Sequence, residues 1–470
     1  MTRARGVTIA AALCAALAAC TSLAPRYERP PLPVAERFPA APEPQTSAAP
    51  AADTDWRQVF VDARQQRMIE LALANNRDLR VAALNIEQAN ARAVAQRASL
   101  LPTLAAGISA TRQPLPGGNR QQIVSAGVLI PSYEVDFFGR LHSLSDAAQA
   151  QVVAAEEGRR TAQMGLIAAV AANHLALLAD DELLTLTQQT LDSRIETLRL
   201  IKLRFDAGTA SEFDYQGAQS LVANARATFA QQQRQRALDE NNLVLLLGQP
   251  LPGDLPGGAG SLAKVTPIPE LPVGLSADVL QRRPDIRAAE AQLIAANFNI
   301  GAARAAFFPS VTLTASAGSV SADLSGLFKS GSWGWGVAPQ LVQTLFDSGR
   351  NAANQRFAEA GRDIALAQYD KAIQSAFREV ADALAGRTTL VEQVRALQDQ
   401  AAADAARLRL AELRYRNGVA SSLDLLDAQR SLFATQQLAV LAQLAQVQNQ
   451  VSLYKALGGG WSDGATAKAP

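Results

Sequence analysis

The residue whose setting most clearly calls for covalent chemistry is Cys20, in Leu17-Ala18-Ala19-Cys20. Ahead of it lie Arg3 and Arg5, then the apolar run Val7–Ala19, too short to cross a bilayer. That is the layout of a secretory signal, and its last four residues resemble a bacterial lipobox. The chemistry expected there is cleavage before Cys20, diacylglycerol attached to its thiol, and acylation of the freed amine. Acyl chains at about 0.8 kcal/mol per buried CH₂ make a durable anchor. Thr21 follows, not the Asp common in lipoproteins kept in the inner membrane, and by resemblance to such lipoproteins the expectation is sorting to the outer membrane. Cys14 would leave with the signal, so the mature chain has one cysteine and no disulfide framework. The two histidines, His142 and His174, are far apart and have no Cys partners. No Ser/His/Asp order, phosphate loop or metal spacing stands out. The expectation is a non-enzyme with no cofactor beyond the lipid on Cys20.

A second set of reactive side chains falls late in the chain. Leu423, Asp427 and Arg430 stand at i−4, i and i+3, on one face of a helix. They follow the turn Gly418-Val419-Ala420-Ser421, and Tyr415 precedes it. An earlier turn, Gly208-Thr209-Ala210-Ser211, has the same form. In each, Gly supplies a left-handed cap and Ser caps the next helix. The first copy carries Phe213, Gly217 and Ser220 at the matching places, so the charged set belongs to one copy only.

The two turns belong to a duplication. Leu203–Ser211 recurs as Leu413–Ser421, and at the same offset of 210 Asp214 matches Asp424 and Ala218-Gln219 matches Ala428-Gln429. Leu247-Gly248 likewise matches Leu457-Gly458, and Gly139-Arg140 matches Gly349-Arg350. Each repeat reads helix, strand, strand, long helix, helix. Helix is expected over 62–100, strands over 103–112 and 122–138, a proline-free long helix over 140–206, and helix over 211–247. The second repeat gives helix 284–307, strands 310–320 and 333–346, long helix 350–416 and helix 421–457. The organisation is then signal 1–19, lipidated extended tether 20–61, first repeat 62–248, Pro/Gly-rich linker 249–283, second repeat 284–459 and tail 460–470.

Composition agrees with long, closely packed helices. Aromatic residues make up only 5%, and Ala, the best helix former, is abundant. With 44 basic and 43 acidic side chains, nothing draws the chain to nucleic acid. The strands bear on the membrane. Trp333, Trp335 and Val337 share one face, as in the aromatic band of a lipid-facing strand. Four strands cannot close a barrel, and open edges cannot sit in hydrocarbon. Three chains supply twelve, so membrane strands require a homotrimer.

The run Leu271-Pro272-Val273-Gly274-Leu275-Ser276-Ala277-Asp278-Val279-Leu280-Gln281-Arg282-Arg283-Pro284-Asp285-Ile286-Arg287-Ala288-Ala289-Glu290, continuing to Phe307-Phe308-Pro309-Ser310, carries a family resemblance. So do Glu134–Arg140 and Leu345–Arg350. The chain resembles an outer membrane factor of the TolC superfamily, and within it the NodT-type lipoproteins of RND efflux pumps. Ser276 stands where that family usually has proline. The resemblance implies a mainly α fold with a transmembrane β portion: a twelve-stranded trimeric barrel continued by a periplasmic α-barrel. It implies a passive exit duct for drugs or other toxic small molecules, in outer-membrane lipid, served by a periplasmic adaptor and an inner-membrane RND pump. It also implies adaptor docking at 208–211 and 418–421, and a periplasmic gate of Tyr415, Leu423, Asp427 and Arg430. A duct for protein secretion or metal efflux is the alternative. A structural coiled-coil lipoprotein would explain the helices and anchor, but neither the strands nor the duplication.

Overall fold

The computed structural model describes residues 22–39, 54–114, 116, 120–253, 255–257, 260–265 and 277–461. The expected signal 1–19, the expected lipidation site Cys20, linker residues 266–276 and tail residues 462–470 lie outside the described residues. Helices are α1 (Trp56–Val59), α2 (Ala63–Asn75), α3 (Arg77–Ala98), α4 (Arg140–Asp206), α5 (Glu212–Leu247), α6 (Pro284–Ala305), α7 (Arg350–Arg416) and α8 (Ser422–Ala456). Strands are β1 (Ala105–Pro114), β2 (Arg120–Val135), β3 (Ser310–Ser321) and β4 (Trp333–Val342). Both long helices hold 67 residues, about 100 Å at 1.5 Å per residue. The chain forms two compact units, one of residues 1–31, 84–157 and 287–371, the other of 32–83, 158–286 and 372–470.

The first unit holds one antiparallel sheet in the order β1-β2-β3-β4, leaving β1 and β4 as its edges. Its register sets Trp335 opposite Ala317, which faces Val128, which faces Ala106. Paired residues share a face, so this side is apolar and carries Ile108, Trp333 and Val337 as well. All four of the large side chains Ile108, Trp333, Trp335 and Val337 are exposed. The other face is mostly small and polar, with Leu129, Val320 and Val342 among its larger apolar members. There Gly127 and Gly318 pair, and a Cβ on either would lie 2.3 Å from a carbonyl oxygen of the opposite strand. Ladder pairing ends at Val342, earlier than 346, and Gln343 instead donates to the carbonyls of Phe307 and Thr344.

Residues 24–29 are tied down against α6. Asn297 donates to the Pro25 carbonyl at 2.6 Å, and a Cβ on Gly301 would strike Ala24. Arg29 and Tyr27 both donate to Glu290. Glu290 and Arg287 belong to the long motif that carries the family resemblance; Arg287 pairs with the buried Glu157 at 2.9 Å. Two residues of that motif on α6 are thus ion-paired, one to the N-terminal segment and one to α4.

In the second unit Arg283, nearly out of water, donates to Asp285, Glu379 and the Ala456 carbonyl. Phe38 stacks on Phe377 at 4.8 Å. The helix expected over 62–100 breaks at Asn76, whose ψ of 132° is not helical. Its side chain caps Leu79 and donates to the Leu246 carbonyl, so the break is where the C-terminus of α5 abuts. Gly248 turns left-handed there (φ 68°), close against the Asn75 carbonyl. One window of α4 is apolar enough to cross a membrane by length and composition, but 61% of it is buried inside the protein. It is apolar because it is packed on several sides.

Candidate functional site: the paired helix tips

Both tips are built by the same local chemistry. Gly208 (φ 73°) and Gly418 (φ 71°) end α4 and α7. In each, the next amide reaches back five residues, Thr209 to the Arg204 carbonyl at 2.8 Å and Val419 to Arg414 at 2.9 Å. Only a left-handed residue makes that closure, and Gly adopts it without the Cβ penalty. Ser211 and Ser421 then accept the amides of Asp214 and Asp424, starting α5 and α8. At the first tip Asp214 also accepts from the Ser211 amide, completing a capping box. Ala210 and Ala420 are the short spacers between glycine cap and serine cap.

The two tips are joined to each other. The Ser422 hydroxyl donates to Asp214, and this bond, ahead of the Ser211 contacts, holds the Asp214 carboxyl below the usual range. Gln429 donates to Thr197 at 3.0 Å. Leu426 packs against Ile201 and Ala218, with Tyr415 alongside. Further along, the buried Arg194 donates to the Leu221 carbonyl and Asn224, and lies 4.9 Å over the Phe433 ring. Burial lowers its pKa, as expected of a cation held by carbonyl dipoles rather than a carboxylate.

The structure brings Asp427 and Arg430 together at 2.5 Å and adds a third member, Arg407 of α7, at 2.6 Å. These guanidinium groups, Arg407 first, hold the Asp427 carboxyl low. Tyr415 does not join this set: its ring faces the first repeat, with Arg204 stacked on it at 4.4 Å. Leu423 stays exposed beside the tip, as do Val419 and Phe213. Arg407 was not legible from the sequence, since it lies 20 residues from Asp427 on another helix. The Asp214–Ser422 link was half legible, because Ser211-x-x-Asp214 is a capping-box pattern.

The histidines have structural settings. His142 meets Asp136 at 2.8 Å at the junction of β2 and α4. His174 is buried, and that burial lowers its pKa to about 4, so it is neutral at physiological pH. No group of three or more His, Cys, Asp or Glu able to hold a metal occurs among the described residues.

An antiparallel sheet with one exposed apolar face, continued into 67-residue helices that reverse at capped tips, defines a channel-forming class of outer-membrane subunit. The family model for outer membrane efflux proteins matches residues 68–249 and 275–459, and the chain belongs to that family. It is an outer-membrane channel protein, not an enzyme. It is 45% identical to the Pseudomonas putida toluene efflux pump outer membrane protein TtgI, over 94% of this chain and 96% of that one. It is 43% identical to the P. putida antibiotic efflux pump outer membrane protein ArpC, over 94% and 93%. The open state of the Neisseria gonorrhoeae MtrE outer membrane channel matches with a TM-score of 0.85 and 41% identity, covering 94% of this chain and 99% of that one.

Proposed function

We propose that this chain is the passive exit duct of a tripartite RND-type efflux system, working as a homotrimer. A periplasmic adaptor docks at 208–211 and 418–421, and an inner-membrane RND pump supplies the energy. The cargo is small apolar or amphipathic compounds, the class to which the toluene and antibiotics in the relatives' names belong. The carrying observation is the sheet with an apolar face and two open edges. Its edges must be paired before it can enter lipid. β1 and β4 run in opposite directions, so the β4 of one copy can continue antiparallel into the β1 of the next. Three copies give twelve strands, an even number.

Asp427 with Arg407 and Arg430 forms the gate, flanked by Tyr415 and Leu423. Each such exposed pair is worth roughly 0.2–1 kcal/mol; repeated over three copies, the pairs bias a two-state tip by a few kcal/mol. Adaptor docking tilts that balance toward open. The Asp427→Ala/Arg430→Ala channel should therefore show a larger single-channel conductance in planar bilayers at low salt. At high salt the difference should shrink, because screening already weakens the wild-type pairs. Conductance equal to wild type at both salt concentrations would refute the gate. A channel that never inserts would refute the duct.

A further inference from the structure

Where α2, α4 and α5 meet, far along the helices from the tips, the second unit holds a cavity of about 270 Å³. Met68 of α2, Leu177 of α4 and Leu243 of α5 give it an apolar floor. Two polar groups in its lining have nothing to bond. His174 of α4 is only 5% exposed, and its Nε2 has no hydrogen-bond partner among the described residues. Arg64, in the first turn of α2, makes no ion pair or hydrogen bond among the described residues.

The fold accounts for neither group. A cation in the first turn of a helix faces the positive end of its dipole. The Asp62 carboxylate, two residues away, is turned to the Gln65 amide as the cap of α2. A buried ring nitrogen without a partner forfeits a bond it would make in water. Burial keeps that ring neutral, and Arg64 is near enough to oppose its charge. The remaining rim charges are matched among themselves. Arg236 of α5 donates to Asp181 at 2.6 Å and to Glu240 at 2.8 Å, so each carboxylate already has an oxygen engaged.

We propose that this cavity is a binding site for a small organic carboxylate, its head on Arg64 and His174 and its apolar body against Met68, Leu177 and Leu243. A guanidinium takes a carboxylate through two parallel N–H donors, and a neutral imidazole adds a third from Nε2. One unpaired cation sets the limit at one negative charge, because the two rim carboxylates repel a second. A volume just under that of drug-sized pockets suits one ring with a short chain. The occupant bridges α2 to α4 and α5 close to the joint where Asn76 holds the Leu246 carbonyl. The site lies within one chain and does not depend on the duct reading.

Phenylbutyrate, phenylbutylamine and phenylbutyramide share a body and differ in the head. Calorimetric titration of the detergent-solubilised full chain should show saturable uptake of one phenylbutyrate per chain, with the amine and the amide at least tenfold weaker. Arg64→Gln keeps the stem and the helix propensity and should weaken phenylbutyrate tenfold or more, whereas partition into detergent would be the same in both proteins. Bound phenylbutyrate should also raise the unfolding midpoint of the wild type by mass action, and that of Arg64→Gln much less. His142→Gln leaves His174 as the chain's only histidine. Its ring-nitrogen resonances, read by solid-state NMR in lipid, should move with phenylbutyrate and stay in place with the amine. No saturable uptake, an amine or amide that binds as tightly, or unchanged affinity in Arg64→Gln would each overturn the carboxylate site. Uptake that leaves the His174 resonances unmoved would place the ligand elsewhere and overturn it as well.

Discussion

Asp180 on α4 is buried with one carboxyl oxygen unpartnered, hydrogen-bonded to Asp239 of α5. Beside it Arg236 pairs with Asp181 at 2.6 Å and Glu240 at 2.8 Å. Burial first, then the Asp239 bond, push the Asp180 pKa up to about 7. A raised carboxyl pKa means the folded chain binds the proton more tightly than the unfolded one. Its contribution to stability is thus complete below about pH 3.9, the unfolded value, and is lost as pH rises through 7. Asp180→Asn should keep the hydrogen bond without the charge. Against this variant, the wild type should lose on the order of 1 kcal/mol between pH 4 and pH 8, allowing for screening in the open groove. Thermal unfolding of the detergent-solubilised proteins across that range reads the slope; parallel curves would remove Asp180 as its source. Asp214 is the opposite case. The Ser422 hydroxyl lowers its pKa, so its contribution is present at neutral pH and lost only as pH falls through that depressed value.

The helices are set by their ends more than by their middles. Neither 67-residue helix contains proline, and each stops at a glycine with positive φ. Gly208 and Gly248 share nearly the same backbone, φ 73° and 68°, in different surroundings. A Cβ on Gly208 would meet nothing within 4 Å, whereas one on Gly248 would lie 2.4 Å from the Asn75 carbonyl oxygen. Gly208→Ala should therefore cost only the left-handed penalty of about 1–2 kcal/mol. Gly248→Ala should cost that plus displacement of the α2/α3 junction, where Asn76 grips the Leu246 carbonyl. Unfolding midpoints of the two variants should differ by several degrees, with Gly248→Ala the lower. Equal midpoints would mean that the junction yields without strain.

For the whole molecule, the sheet and the lipid site lead to one measurement. Four strands with two open edges are an incomplete membrane object, and Leu17-Ala18-Ala19-Cys20 has the lipobox form on which the expectation of a lipid at Cys20 rests. Native mass spectrometry in detergent should find three chains, each beginning at an acylated Cys20. A monomer that inserts stably would refute the twelve-strand barrel. A mature chain starting elsewhere, or with a bare thiol at Cys20, would refute the lipid. If the proposed barrel holds the protein in the bilayer, Cys20→Ser should impair maturation more than it weakens the final anchoring.

Much of this protein was legible in one dimension, because the features concerned are local. The two 67-residue helices, their glycine stops, the serine caps and the four strands follow from residues within a few positions of one another. The pairing of Asp427 with Arg430 follows from three residues of helical spacing. Tertiary structure alone decided the contacts that depend on the register between distant helices. Asp427 is shared with Arg407, Asp214 is held by Ser422, and Tyr415 turns toward Arg204 rather than the charged set. The break at Asn76 and the clasp of Tyr27 and Arg29 on Glu290 belong with these. Helical periodicity says which face a residue occupies, but it carries no information on which turn of another helix comes to rest beside it.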